Sequence, residues 1–476
     1  GDAAALDFRE TAPRKAHRDM YLDKNGAVVE GLSLTGHLAS GVPGTVAGMA
    51  AAHEKYGRLS WREVLEPAVR LARGGFPVTR AQARQLNAYR DAFIKNNPGS
   101  AYLIRENWSA GDRLIQEHLA RTLERIRDKG LAGFYRGRTA RLIAREMKRG
   151  GGIIDRDDLK QYKAVWRKPL TGTYKNYRVI SMPPPSSGGV ALVQLLKMVE
   201  PYPLSGMQHN GSEAAHLLAE AERRVYADRA AYLGDPDFYK VPVDALLDSA
   251  YLETRMRSFD PGRASPSSGI AAGTLAAAAL QRDESPETTH FSVVDKEGNA
   301  VAVTTTLNGN FGSKVFVDKA GFLLNNEMDD FSAKPGVPNM FGLVGGEANA
   351  IEPGKRMLSS MTPTILEREG KLFMILGSPG GATIITTVFQ AILNVTEYKM
   401  GIQEAVNAKR FHHQWLPDRI LAEENAFEET ALRNLRDKGH KVEFTGSIGR
   451  CDAILVEQGR YFGGADPRGD DVSAGY

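Results

Sequence analysis

The sequence predicts a layered mixed α/β fold. Helical spacing dominates the first half of the chain, whereas the second half turns to short alternating strands with hairpin signals and helices between them. A Pro/Ser/Ala/Gly-rich stretch at 258–287 separates the two halves.

In chain order, Ser60-Trp61-Arg62-Glu63 reads as a capping box, and Gly74-Gly75 after Leu71-Ala72-Arg73 reads as a stop. Helical spacing also covers roughly 114–129, 139–149, 190–200 and 213–233. Residues 170–182 alternate like a strand, with a turn near Lys175-Asn176. Residues 258–287 carry Asp260-Pro261-Gly262, Ser265-Pro266-Ser267-Ser268-Gly269 and a run of alanines, the composition of a mobile, exposed segment. Beyond it, 290–294 and 299–306 flank Asp295-Lys296-Glu297-Gly298 as a hairpin. A second apolar run follows at 321–326. Further hairpins are expected at 363–366 with 371–376, and at 451–456 with 460–462. Helices at 383–398, 403–410 and 428–438 fill the gaps. No internal repeat of fixed period is present.

The bulk numbers narrow the class of protein. At 476 residues, with 42% apolar and 25% charged residues, the chain is of globular composition and long enough for one large domain or a few smaller ones. Lys and Arg (61) nearly balance Asp and Glu (57), and no long basic run occurs, which argues against nucleic acid as a partner. The lone cysteine, Cys451, excludes an intramolecular disulfide and Cys-based zinc sites. No 18-residue apolar run suggests a membrane span. The first residues, Gly1-Asp2-Ala3-Ala4-Ala5-Leu6, lack the basic start and apolar core of a signal peptide, and the chain reads as starting within a strand.

The pentad Glu287-Thr288-Thr289-His290-Phe291 holds the sharpest chemistry. Cutting Glu287–Thr288 would leave Thr288 with a nucleophilic hydroxyl and a free amine on one residue. Such an amine titrates near ~7.7–8.0 and can take the hydroxyl proton at neutral pH. That reading points to an amidase or acyl transferase; a surface loop is the plainer alternative. Gly377-Ser378-Pro379-Gly380-Gly381, between a strand and a helix, offers backbone N–H groups to an oxyanion, or is simply a turn that requires glycine. Ser359-Ser360 offers two hydroxyls for a carboxylate, or an ordinary turn. Asn325-Asn326-Glu327-Met328-Asp329-Asp330-Phe331 clusters carboxylates and amides in a pattern that suits an ammonium better than a calcium ion, or is solvated loop charge. Arg9 is able to grip a carboxylate. His412-His413 lacks a third ligand at metal-binding spacing. No metal and no cofactor are expected.

Together these pieces resemble γ-glutamyltranspeptidases, also called glutathione hydrolases. The resemblance runs through residues 6–10, Ser40-Gly41-Val42-Pro43-Gly44-Thr45, MPPPSSGG at 182–189, Tyr226-Ala227-Asp228-Arg229, Gly234-Asp235-Pro236-Asp237, Thr288-Thr289-His290, NNEMDDFSAKPG at 325–336, Ser359-Ser360-Met361 and GSPGG at 377–381. It implies the four-layer αββα sandwich of the N-terminal nucleophile hydrolases. It also implies a precursor that cuts itself at Glu287–Thr288 into a large part, 1–287 with a mobile tail from about 258, and a small catalytic part, 288–476. The two would stay together as one domain and a heterodimer.

By the same resemblance Thr288 is the nucleophile, Thr306 its hydrogen-bond partner, and Gly380 and Gly381 the oxyanion donors. Arg9, Ser359 and Ser360 would hold the glutamyl α-carboxylate; Asn308, Glu327 and Asp330 would hold its α-ammonium. The implied substrates are glutathione and other γ-glutamyl compounds, with water or an amino acid or dipeptide as acceptor. A lid loop is expected at 335–346, with Phe341 where many bacterial members have Tyr; Met357 replaces a Pro common before Leu-Ser-Ser. Family members carry a further stretch before Leu6, so one core layer is expected to be incomplete, with the apolar face of its neighbours uncovered. A periplasmic or secreted location follows from the family. The alternatives are a cephalosporin or glutaryl acylase, and a non-catalytic binding protein on the same scaffold.

Overall fold

Ser60 accepts a hydrogen bond from the Glu63 N–H, and the Glu63 carboxylate accepts one from the Ser60 N–H. This capping box opens helix α1, Trp61–Gly74, and Gly75 closes it with φ +73°. In the computed structural model, which describes residues 2–98, 102–275, 287–332 and 346–475, α1 packs against α2, Glu117–Lys129. Helix α3, Gly137–Gly150, covers the same region, and the three helices enclose a core that includes Ile126, Ile143, Met147, Val315, Val317 and Leu324.

The central layers follow. Strands β1, Leu170–Tyr174, and β2, Tyr177–Ser181, form the expected hairpin around Lys175-Asn176. Helix α4, Gly188–Val199, is apolar nearly all round and correspondingly buried. Helix α5, Ser212–Tyr232, is buried from Ala214 to Tyr232 in spite of its Glu, Arg and Asp residues. The second half supplies β3, Glu287–Val294, β4, Ala300–Asn308, β5, Thr364–Arg368, β6, Lys371–Gly377, helix α6, Thr383–Thr396, and the hairpin β7, Asp452–Glu457, with β8, Arg460–Gly464.

Six strands make one antiparallel sheet in the order β8-β7-β6-β5-β2-β1. Strands from both sides of Glu287–Thr288 therefore share a sheet, joined where β2 pairs with β5. Helices α4, α5 and α6 bury the main core against this sheet. The hairpin β3–β4 packs on the other side, against β6 and β7. The hairpin's outer face is apolar and open: Phe291, Val293, Val301 and Leu307 are 41–50% exposed. Helix layer, six-stranded sheet and facing hairpin follow the order of the expected layers.

Three expectations change. Residues 258–275 are fastened rather than free, with Ser267 fully buried, while the rest of the supposed mobile tail up to Pro286 lies outside the described residues. The apolar run at 321–326 yields only the short strand Phe322–Leu323 paired with Phe316–Val317. The helix expected at 403–410 spans Ile402–Asn407. Among the described residues no helix is long and apolar enough to cross a membrane.

Candidate functional site

Thr288 is buried near the start of β3. Glu287 pairs with Asn308 and Thr289 with Thr305, so Thr288 alone faces Thr306 and Leu307 at a bulge. This places Thr306 across the ladder from Thr288. The Thr306 hydroxyl accepts the Asn308 N–H at 2.8 Å. Asn308, at φ +71°, turns the chain out of β4 and donates its amide to the Asn326 carbonyl at 3.1 Å. Two residues after Thr288, His290 is buried between Thr304 (2.8 Å) and Ser292 (3.0 Å), and burial pushes its pKa down to about 3. It is thus a neutral wedge. A Cβ on Gly377 would lie 2.3 Å from the His290 ring, so the glycine lets the end of β6 close onto the strand that carries Thr288.

Beyond Gly377 the chain enters the glycine loop. Gly380 has φ +135° and Gly381 φ +57°, conformations that L side chains rarely adopt. Their carbonyls accept from the Thr383 and Ile384 N–H groups at 3.1 and 3.0 Å as α6 begins. Among the described residues the Gly380 and Gly381 N–H groups have no protein acceptor, so both remain available to an anion ahead of the helix.

Glu327–Asp330 is a 3-10 turn. Three residues per turn bring Glu327 and Asp330 to the same side and turn Asp329 away. Both Glu327 and Asp330 form ion pairs with Arg9, all three side chains being almost fully buried. Arg9 also donates to the Met357 and Leu358 carbonyls at 3.3 and 3.2 Å. Arg9 was expected at one end of a glutamyl pocket and the two carboxylates at the other; in the structure the guanidinium and the two carboxylates are in direct contact. Asp329 pairs with the Ser33 hydroxyl, and burial raises its pKa to about 6.

The serine pair is already engaged. Ser359 donates to the Ser186 hydroxyl at 3.1 Å. Ser360 accepts from Arg229 at 3.0 Å and keeps its own hydroxyl hydrogen for donation. Arg229 also holds Ser187 at 2.8 Å, and Ser187 donates to the Ser359 carbonyl. Asn349 links the two sides, donating to the Asp330 carbonyl at 2.6 Å and accepting the Leu358 N–H at 3.0 Å. Asn325 clasps the Gly41 N–H and carbonyl.

Sequence reasoning gave no role to Arg229, Ser186, Ser187 or Asn349. The first three lay inside quoted motifs, whereas nothing in the sequence marked Asn349. Phe341 and most of the expected lid lie outside the described residues.

Metal ligation is poorly served. His412 bonds Thr386 and Gln414, and His413 faces Asp418; neither joins a group of ligand atoms among the described residues. His216, Glu220 and His440 do bring ligand-type atoms within 4.8 Å. Glu220, however, is occupied by Arg223, Arg224 and the Ser265 N–H, and the two guanidinium groups repel a cation there.

The gamma-glutamyltranspeptidase family matches residues 1–476. A relative from Escherichia coli (strain K12), glutathione hydrolase proenzyme, is 49% identical over all of this chain and 82% of its own length. Acylase ACY 1 proenzyme of Pseudomonas sp. (strain V22) is 36% identical over 93% of this chain and 77% of its own. The crystal structure of cephalosporin acylase from Bacillus halodurans shares the fold, with a TM-score of 0.86 at 24% identity, over 99% of this chain and 84% of that one. With a match from the first residue to the last and a relative of this identity, the chain belongs to the gamma-glutamyltranspeptidase family.

Proposed function

We propose that this chain is a precursor that cuts itself between Glu287 and Thr288 and then hydrolyses or transfers γ-glutamyl groups, glutathione being the principal donor. The observation that carries the reading is the buried contact of Arg9 with Asp330 and Glu327. Buried charges need partners. A γ-glutamyl α-carbon can replace both partners at once, its carboxylate taking Arg9 and its ammonium taking the two acids. A glutaryl chain would satisfy Arg9 and leave two carboxylates without a cation, at a cost of several kcal/mol, which disfavours the acylase reading.

The steps follow from the chain's own groups. In self-cleavage the Thr288 hydroxyl adds to the Glu287 carbonyl carbon, the C–N bond breaks, and the hydroxyl proton ends on the departing Thr288 nitrogen. Water then hydrolyses the ester, leaving a Glu287 carboxylate and a free Thr288. In turnover the Thr288 amine takes the hydroxyl proton as the oxygen attacks the γ-carbonyl. Thr306 orients that oxygen, and the Gly380 and Gly381 N–H groups stabilise the oxyanion. The amine returns its proton to the leaving nitrogen. Water or an amino acid or peptide acceptor then releases the γ-glutamyl group. Asn308, Ser359 and Ser360 complete the grip on the glutamyl end. Because β2 pairs with β5 across the cut, the large and small parts would stay associated as one heterodimer. A periplasmic or secreted location is part of the same reading, on the family resemblance alone.

Thr288→Ala tests it. The expected result is a chain that stays whole on denaturing gels, while the unsubstituted protein yields a fragment starting at Thr288 and releases p-nitroaniline from γ-glutamyl-p-nitroanilide faster than from the glutaryl analogue. Turnover by the uncut variant, or a preference for the glutaryl compound, contradicts the proposal.

A further inference from the structure

Helix α5 buries charge on an unusual scale: Glu220, Arg223, Arg224 and Asp228 are at most 1% exposed. Burying such groups is costly unless each is paired. Their ion pairs run within the helix, to Asp418 and to Arg255, and further hydrogen bonds come from one segment, residues 258–275, which runs alongside the helix in the same direction. His216 bonds the Asp260 carbonyl at 2.8 Å. One turn on, Glu220 accepts the Ser265 N–H at 3.0 Å, and Arg224 reaches the hydroxyls of Ser258 and Ser265 at 2.9 and 3.2 Å. Arg223 contacts the Ser267 hydroxyl, and its partner Asp418 accepts the Ser267 N–H at 2.7 Å. Asp228 accepts the Gly273 N–H at 2.9 Å, and the Tyr232 hydroxyl contacts the Gly273 carbonyl and accepts the Leu275 N–H at 3.0 Å.

The spacing 216, 220, 224, 228, 232 is one residue every four, a single stripe along about 24 Å of helix. On the adjoining face, Arg229 holds Ser187 and Ser360. One helix therefore grips both the segment that leads to the cut and a serine of the glutamyl pocket. The last fastening, at Leu275, precedes Glu287 by twelve residues in the sequence.

We propose that the stripe Glu220-Arg224-Asp228-Tyr232 is a clamp that presents the Glu287–Thr288 bond for self-cleavage. Resting as it does on the cleavage reading above, the clamp acts on cutting and not on turnover. Its residues are positioning residues for the first reaction alone. The clamped segment stays attached to α5 once the bond is broken.

Asp228→Asn and Tyr232→Phe test this in the full chain, with Val225→Ala, a buried apolar substitution on the same helix, as the stability control. Self-cleavage is followed on gels, Tm by calorimetry, and kcat and KM on γ-glutamyl-p-nitroanilide per molecule cut. Asp228→Asn and Tyr232→Phe are expected to slow cutting about tenfold, with kcat and KM within twofold of the unsubstituted enzyme. Val225→Ala is expected to lower Tm at least as much and to cut at the ordinary rate. Ordinary cutting rates in Asp228→Asn and Tyr232→Phe overturn the clamp, as does a cutting rate that tracks Tm across all three variants. An unsubstituted chain that is never cut at Thr288 instead removes the cleavage reading itself.

Discussion

Asp329 and Asp330 are neighbours in sequence with opposite surroundings. The 3-10 turn sends Asp330 to Arg9 beside Glu327, and Asp329 to Ser33. The acidic cluster was legible in the sequence, but its pairing with Arg9 spans more than 300 residues, and no local pattern encodes it. The glycine loop is the reverse case, because its strand-glycine-helix order already pointed to free N–H groups. Gly380 is the critical position: at φ +135° an added Cβ would come 2.5 Å from the Thr383 hydroxyl. Gly380→Ala must therefore rotate the peptide that presents its N–H. We expect a loss of kcat of roughly 10²–10³, about 3–4 kcal/mol of barrier, with KM little changed. Steady-state kinetics on the cut enzyme decide this, and an unchanged kcat rules out Gly380 as an oxyanion donor.

At the scale of elements, the hairpin β3–β4 carries an inverted pattern. Its polar residues Thr288, His290, Ser292 and Thr304 are on the face toward the six-stranded sheet, and Phe291, Val293, Val301 and Leu307 face outward. Alternation made the hairpin readable but could not say which face was inside, since period-two patterning is symmetric with respect to the two faces. The outward valines pair as Val293↔Val301. With that face open, Val293→Thr and Val301→Thr should each cost less than about 1 kcal/mol in denaturant unfolding of the 476-residue chain and should raise its solubility. A loss above about 2 kcal/mol would mean that another layer covers the face in solution. Helix α5 was legible in extent but not in burial: its charges look like a solvated face until the 258–275 segment is laid along it.

For the whole molecule, buried titratable groups set the response to acid. Burial pushes His290, His412 and His440 down to about 3 and His413 to about 4. Below the ordinary histidine pKa of ~6.5 the unfolded chain takes up protons that the folded chain refuses, so stability falls as pH drops from about 6.5 toward 3. Glu220, held down to about 2 despite its burial by Ser265 and its arginines, and Asp418, held low by His413, Ser267 and Arg223, act in the same direction below about 4.5. Glu10 and Asp452, raised by burial to about 7, and Asp329, raised to about 6, oppose them, since folding keeps their protons. Glu222, raised well above its ordinary value, and Asp228, Asp235 and Asp471, also raised by burial, join the opposing set. The two sets therefore offset each other between pH 4.5 and 7.5, and Tm should differ little between those two values when measured by calorimetry at fixed ionic strength. A higher Tm at pH 4.5 would mean that the raised carboxyls dominate.

The sequence by itself determined the elements, the family and the chemistry available at Thr288 and the glycine loop, because periodicity, caps and contiguous motifs are local properties of a chain. Tertiary structure alone decided that Arg9 meets Glu327 and Asp330, that Arg229 supports Ser360, and that residues 258–275 of the supposed loose tail lie fastened along α5. Those contacts join residues far apart in sequence, and they exist only once the layers have brought buried charges within reach of one another.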